Sequence, residues 1–197
     1  DVRDAPKGII SCPNCTTMVL LTALAPLHRA ATIERMVIAS YQAVSGAGQP
    51  GMHELAEQWV KGAGQEEAMR RAGTTPDLLG PGEVWSRPIA GNVIPQAGST
   101  KELGYTSEEW KLVHESRKIL HAPDLRATAT CVRVPVYVGH SLAANVEFAG
   151  PLSRDDAAAI LATAPGVVLV DGGHGAPTAL EGAGIDPVLV GRLRQDP

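Results

Sequence analysis

The chain has 197 residues, of which 44% are hydrophobic, and its formal net charge is −4 at neutral pH. This length and apolar content suffice for one globular domain with a sizeable core. The small charge and the lack of a basic run argue against nucleic acid or an anionic membrane as a partner. The longest apolar run, from Met18 to Leu27, is shorter than the roughly 20 residues that span a bilayer.

Cysteine content and the N-terminus indicate where the protein works. Three cysteines are too few for a disulfide framework in a chain of this length. The first eight residues, DVRDAPKG, carry both signs of charge and lack the apolar segment of a secretory signal. We therefore expect a cytoplasmic protein.

Hydrophobic spacing predicts strands and helices in irregular order. The predicted helices cover about 16–31, 52–71, 107–120 and 154–164. The predicted strands are a short one ending at 9–10 and runs at 33–42, 89–94, 128–138, 141–149 and 167–170. The segment 72–104 is rich in Gly and Pro and is interpreted as a loop-rich arm. Because regular βαβ alternation is missing, we predict an α+β fold with a mixed sheet covered by helices.

The two runs around Gly139 allow two interpretations. Residues 128–138 and 141–149 both alternate between apolar and polar side chains, and Gly139 and His140 separate them. They form either a hairpin or one strand bent at the glycine.

The stretch SCPNCTT places two thiols, Cys12 and Cys15, three positions apart before a predicted helix. A thiol in the first helical turn faces unpaired N–H groups and the positive end of the helix dipole, which favour a reactive thiolate with a lowered pKa. The spacing also fits a redox pair or half of a zinc site. No further pair of metal ligands follows at zinc spacing, so we expect no metal.

Two further residues have side chains suited to catalysis. Arg133 lies within an apolar strand, where an unpaired guanidinium is costly unless it receives an anion such as a carboxylate. His140 follows Gly139 and is a candidate acid–base residue for a thiol enzyme, although a histidine at a strand bend is often only a structural hydrogen-bonding residue.

Five blocks of the sequence, in order, resemble aspartate-β-semialdehyde dehydrogenase of the actinobacterial type. They are PNCTT, YQAVSG, IAGNVIPQ, GYTSEEWKLVHESRKIL and TCVRVPVYVGHS. The resemblance implies the catalytic and dimerisation domain of that family, related to the catalytic domain of glyceraldehyde-3-phosphate dehydrogenase. It covers most of the chain, and residues 1–197 are interpreted as this single domain.

The resemblance also implies roles for individual residues. Cys15 would be the nucleophile and His140 the acid–base residue, while Gln42 would orient the acyl intermediate. Arg133 would hold the substrate carboxylate. The remaining implied contacts are Asn14 on the oxyanion and phosphate side, Glu115 to the substrate amino group and Lys118 to the phosphate.

The implied reaction converts aspartyl phosphate to aspartate semialdehyde through a thioester, as a step of amino-acid biosynthesis, with NADP as cofactor and a homodimer as the assembly. The family's N-terminal Rossmann domain and closing C-terminal helix have no counterpart here, so cofactor-binding residues are unknown and the chain alone is expected to be inactive as a dehydrogenase. The family usually has Asn in place of Cys12, which allows a Cys12–Cys15 disulfide that would silence the nucleophile.

Two other functions fit the same residues. One is a cofactor-free acyl transferase or hydrolase that uses Cys15 and His140. The other is a non-catalytic subunit that pairs with a separate nucleotide-binding chain.

Overall fold

The computed structural model describes residues 4–71, 75–170 and 176–196. The helices are α1 (Cys15–Ala31), α2 (Gly48–Gly62), α3 (Glu66–Met69), α4 (Thr75–Leu79), α5 (Ser107–Ile119), α6 (Arg154–Ala162) and α7 (Ala179–Gly182). The strands are β1 (Ile33–Gln42), β2 (Arg126–Arg133), β3 (Ser141–Phe148), β4 (Val167–Val170) and β5 (Val188–Gly191). None of the helices described in these ranges is long and apolar enough to cross a membrane.

A three-stranded mixed sheet forms the centre of the fold. Its order is β2-β1-β3, with β1 parallel to β2 and antiparallel to β3. A second sheet pairs β4 with β5 in parallel. The predicted α+β class with a mixed sheet is confirmed.

Helices cover one face of the central sheet. The core contains four leucines of α1 at helical spacing, together with Met36 and Ile38 of β1 and Leu112 of α5; the leucines are Leu20, Leu21, Leu24 and Leu27. Each fully buried leucine contributes about 1.5–3 kcal/mol to stability. The opposite face, called here the open face, exposes Val37 and Tyr41 of β1.

Several predicted elements differ from the structure. Ile9 and Ile10 lie in exposed coil, so the strand predicted to end there is wrong. The helix predicted at 52–71 is split into α2 and α3, which end and begin around Gly64 with its positive φ of 74°. Of the strand predicted at 89–94, only Ile94 forms a single bridge, to Arg133. Residues 72–74 of the predicted arm lie outside the described residues.

The runs on either side of Gly139 form neither a hairpin nor one bent strand. β2 and β3 lie on opposite sides of β1, and the connection between them crosses the carboxyl end of β1. There, Val44 N–H donates to the Val136 carbonyl at 2.8 Å and Ser45 N–H to the Tyr137 carbonyl at 3.0 Å. This crossing carries His140 to the end of β1.

Candidate active site

A cleft of about 580 Å³ opens beside the N-terminus of α1 and the carboxyl ends of β1 and β2. The predicted site residues that line it are Asn14, Cys15, Gln42 and Arg133. Gln42 and Arg133 are register partners at the ends of the parallel strands, which is why two residues so distant in sequence meet here.

Cys15 is the first residue of α1, which begins one position before the predicted start at about residue 16 and keeps Cys15 at the helix N-terminus, as predicted. Asn14 caps the helix: its Oδ1 accepts hydrogen bonds from the Thr16 N–H at 3.1 Å and from the Thr16 hydroxyl at 2.5 Å. Its Nδ2 donates to Glu108 Oε2 at 2.7 Å. The Asn14 amide is therefore engaged at both ends, and the structure shows it supporting Cys15 and Glu108.

The pKa of Cys15 differs from the expectation. Burial, followed by the negative charge of Glu108, raises the pKa of the Cys15 thiol above its ordinary value. The backbone N–H groups at the helix start and the charge of Arg133 oppose this without outweighing it. The expectation of a lowered pKa considered only the helix dipole and is wrong, because partial burial and a carboxylate neighbour act in the opposite direction.

The alkylation rate of Cys15 should report this shift. A nearby carboxylate makes the thiolate more costly, so the pH midpoint of iodoacetamide alkylation should lie above that of a free cysteine. Glu108→Gln removes one cause and should lower the midpoint, whereas Glu57→Gln, at an exposed carboxylate of α2, should leave it unchanged. A wild-type midpoint at or below that of free cysteine would contradict the structure.

Arg133 is buried, with 6% of its surface exposed. Its Nη1 donates to the Ala43 carbonyl at 2.7 Å, and its Nε is buried without a partner among the described residues. Burial lowers the pKa of Arg133, but arginine starts from so high a value that it stays charged at neutral pH. The remaining N–H groups are suited to an incoming anion.

His140 lies next to Arg133 rather than in the wall of the cleft itself. Its Nδ1 accepts a hydrogen bond from Ala43 N–H at 3.0 Å, so a neutral ring carries its proton on Nε2. Burial, and then the charge of Arg133, lower the pKa of His140. The ring is thus neutral at neutral pH, and Nε2–H is available to donate a hydrogen bond.

Gly46 permits the close packing of these two side chains. A Cβ at this position would lie 2.6 Å from Arg133 Nη1 and 3.4 Å from the His140 ring. A larger residue where the turn after β1 meets the guanidinium would therefore displace the end of the Arg133 side chain.

The predicted pair Glu115 and Lys118 does not line the cleft. Glu115 accepts a hydrogen bond from the Asn14 backbone N–H at 2.8 Å, and Lys118 is exposed. Glu108 and Lys111, one heptad earlier on α5, line it instead and form an ion pair at 2.8 Å. Both pairs have the spacing Glu-x-x-Lys, so the pattern alone could not separate them; the sequence interpretation missed Glu108 and Lys111.

In the ion pair of Glu108 and Lys111, each residue stabilises the charged form of the other. Burial opposes the charge of Glu108, but hydrogen bonds from Lys111 and Asn14 outweigh it and hold the pKa of Glu108 below its ordinary value. The hydrogen bond to Glu108 raises the pKa of Lys111. Both groups are charged at neutral pH.

The other two cysteines have different surroundings. Cys12 is exposed, and all three cysteines are free. Burial raises the pKa of Cys131 to about 11, which makes it a poor nucleophile. No three His, Cys, Asp or Glu side chains within the described ranges are grouped so as to hold a metal ion.

The run from Gly46 to Gly51, GAGQPG, has the glycine spacing of a dinucleotide-binding turn and lies between β1 and α2. In the structure its outer glycines serve packing: a Cβ on Gly51 would lie 2.7 Å from the Val44 carbonyl oxygen. That motif also requires a parallel strand within a unit of about 30 residues, whereas β2 begins only at Arg126. The Gly46–Gly51 turn therefore does not form the dinucleotide-binding motif.

Comparison with known proteins adds three findings. Residues 24–197 match the family model described as "Semialdehyde dehydrogenase, dimerisation domain". An aspartate-semialdehyde dehydrogenase of Streptomyces akiyoshiensis is 50% identical over 99% of this chain and 57% of its own length. One of Mycolicibacterium smegmatis is 47% identical over 97% of this chain and 54% of its own length. The chain therefore spans about half the length of the curated relatives it matches.

Solved structures of proteins with the same name also match the chain. A crystal structure of aspartate semialdehyde dehydrogenase II from Vibrio cholerae, described as complexed with ASA, matches with a TM-score of 0.85 and 38% identity, over 99% of this chain and 54% of that one. An enzyme of Candida albicans, described as solved with NADP, matches with a TM-score of 0.63 over 96% of this chain and 49% of that one. At 22% identity, the second match shows the fold alone.

Proposed function

Because the chain belongs to the semialdehyde dehydrogenase family, we propose that it is the catalytic and dimerisation part of an aspartate-semialdehyde dehydrogenase. Its substrate would be β-aspartyl phosphate or aspartate semialdehyde. The observation that carries the proposal is the meeting of Cys15, Gln42, Arg133, Glu108 and Lys111 in one cleft.

The proposed chemistry begins with the Cys15 thiolate, which attacks the acyl carbon of aspartyl phosphate. A C–S bond forms, the C–O bond to phosphate breaks, and phosphate leaves with the bonding electrons, giving a thioester. The neutral His140 ring can donate a hydrogen bond from Nε2–H to the oxygen that gains charge during this step. The hydride half of the reaction belongs to the NADP that the family resemblance implies, and no described residue is assigned to it.

The charged residues of the cleft would hold the two ends of the substrate. Arg133 would bind the α-carboxylate, Glu108 the amino group and Lys111 the phosphate, so that the acyl carbon meets Cys15 in reacting geometry. A cationic amino group beside Glu108 would also offset the charge that raises the pKa of Cys15. Substrate binding would then favour the thiolate that the free protein disfavours.

The first half-reaction can be tested on the 197-residue chain. Incubation with β-aspartyl phosphate should add one aspartyl group, detected by mass spectrometry, mapped to Cys15 and released by hydroxylamine. The same chain mixed with aspartate semialdehyde, phosphate and NADP should form no NADPH. Absence of any adduct on Cys15 would overturn the proposed function.

We further propose that the open face of the central sheet forms a homodimer interface, consistent with a family model named for dimerisation. Val37 and Tyr41 are 37% and 44% exposed there. Arg35 and Glu147 form an ion pair at 2.6 Å across β1 and β3 on the same face. An apolar strip beside a paired charge is typical of a surface that meets a second copy.

Val37→Asp should dissociate this dimer. An unpaired carboxylate enclosed by the interface costs about 3 kcal/mol or more, which weakens association by over about a hundredfold. Sedimentation velocity measures the outcome. Val60→Asp, at a valine of α2 that is 78% exposed, is the matched control and should remain dimeric. If Val37→Asp remains dimeric like the control, the interface lies elsewhere.

A further inference from the structure

Arg87 lines the cleft but has no place in the half-reaction described above. Its side chain is exposed, and it makes no ion pair or hydrogen bond within residues 4–71, 75–170 and 176–196. A cation that lines a cleft, without an acidic partner among the residues that the structure describes, is suited to an anionic ligand.

The loop that carries this arginine is attached to α2 on both sides of it. Glu54 is 8% exposed, and its carboxylate accepts a hydrogen bond from Val84 N–H at 2.7 Å. Gln58 is 2% exposed, and its Oε1 accepts from Ile89 N–H at 2.8 Å and from Ala90 N–H at 3.0 Å. Buried side chains of α2 therefore hold the backbone on both sides of Arg87 in place beside the cleft.

The charges that line the cleft can balance an anion that carries more than one negative charge. The cations are Arg87, Lys111 and Arg133, and the carboxylate is that of Glu108. Lys111 is already paired with Glu108 at 2.8 Å, and Arg133 is assigned to the substrate carboxylate. A phosphate monoester carries about 1.5–2 negative charges at neutral pH, more than Lys111 alone can neutralise.

Resting on the function proposed above, we infer that Arg87 binds the phosphate group of the acyl phosphate and, in the reverse direction, the incoming inorganic phosphate. The planar guanidinium can donate two parallel hydrogen bonds to phosphate oxygens. Arg87 thereby sets specificity for phosphate in the cleft that also contains Arg133. A dinucleotide presents the same phosphate chemistry, so the test includes both ligands.

Inorganic phosphate is the probe, applied to the 197-residue chain by isothermal titration calorimetry and by protection of Cys15 against iodoacetamide. Arg87→Gln should weaken phosphate binding about tenfold, as expected for loss of a charge-assisted hydrogen bond. Arg87→Lys should weaken phosphate binding less, because the positive charge remains although the two parallel hydrogen bonds of the guanidinium are lost. NADP titrated in parallel should show no dependence on residue 87.

Arg29→Gln is the matched control, since Arg29 is an exposed arginine of α1 that does not line the cleft. It should bind phosphate as the wild type does, and thermal melting should show all variants folded. Equal phosphate affinity of Arg87→Gln and wild type would overturn the inference, as would an effect of residue 87 on NADP alone. Failure of the wild type to bind phosphate would also overturn it, whereas thioester formation on Cys15 decides the proposed function independently.

Discussion

Cys15→Ser is expected to reduce formation of the aspartyl adduct by about 10⁴-fold or more, the scale seen when a catalytic nucleophile is removed. A serine hydroxyl ionises far less readily than a thiol, and His140 Nδ1 is occupied by Ala43 N–H, so His140 is not positioned to activate the hydroxyl. The helix start should keep its geometry, because Asn14 rather than Cys15 provides the cap. Mass spectrometry over a time course measures the effect.

Cys12→Ser is the matched control, because Cys12 is exposed and does not line the cleft. If Cys15 acts alone, this variant should form the adduct at the wild-type rate. Loss of the adduct in both variants would show that the two thiols act as a pair, as in the redox interpretation. Retention of the adduct in Cys15→Ser would show that the nucleophile lies elsewhere.

Local patterns predicted the parts of the fold that local interactions determine. The apolar spacing predicted a helix from about residue 16, one position from the observed start of α1 at Cys15. Arg133 was identified as a candidate binding residue because a guanidinium within an apolar strand is costly unless it has a partner or binds an anion. The course of the chain after β2 could not be predicted in this way, because β3 pairs with β1 rather than with its sequence neighbour.

The site was harder to predict where its properties depend on tertiary contacts. The pKa of Cys15 is raised by burial and by Glu108, which lies 93 positions further along the chain. The choice between the two Glu-x-x-Lys pairs of α5 depends on which helical turn meets the N-terminus of α1. Neither property has a signal in residue spacing, since both depend on where α5 packs.

Gly46→Ala is expected to impair substrate binding more than stability. The added Cβ would lie 2.6 Å from Arg133 Nη1, too close to be accommodated unless the guanidinium moves. The end of an arginine side chain can move, but doing so breaks its hydrogen bond to the Ala43 carbonyl and displaces the donors assigned to the substrate carboxylate. The hydrophobic core is unchanged, so we expect the main loss in substrate binding rather than in the free energy of unfolding.

The rate of adduct formation at low aspartyl phosphate should therefore fall about tenfold or more, equivalent to loss of one charge-assisted hydrogen bond of about 1.5–3 kcal/mol. The melting temperature should change little. Gly150→Ala is the matched control, since a Cβ there meets nothing within 4 Å. If both alanine variants react like the wild type, Arg133 does not need its observed position to bind substrate. If Gly46→Ala instead unfolds the protein, the packing of Arg133 against this turn stabilises the fold itself rather than the site alone.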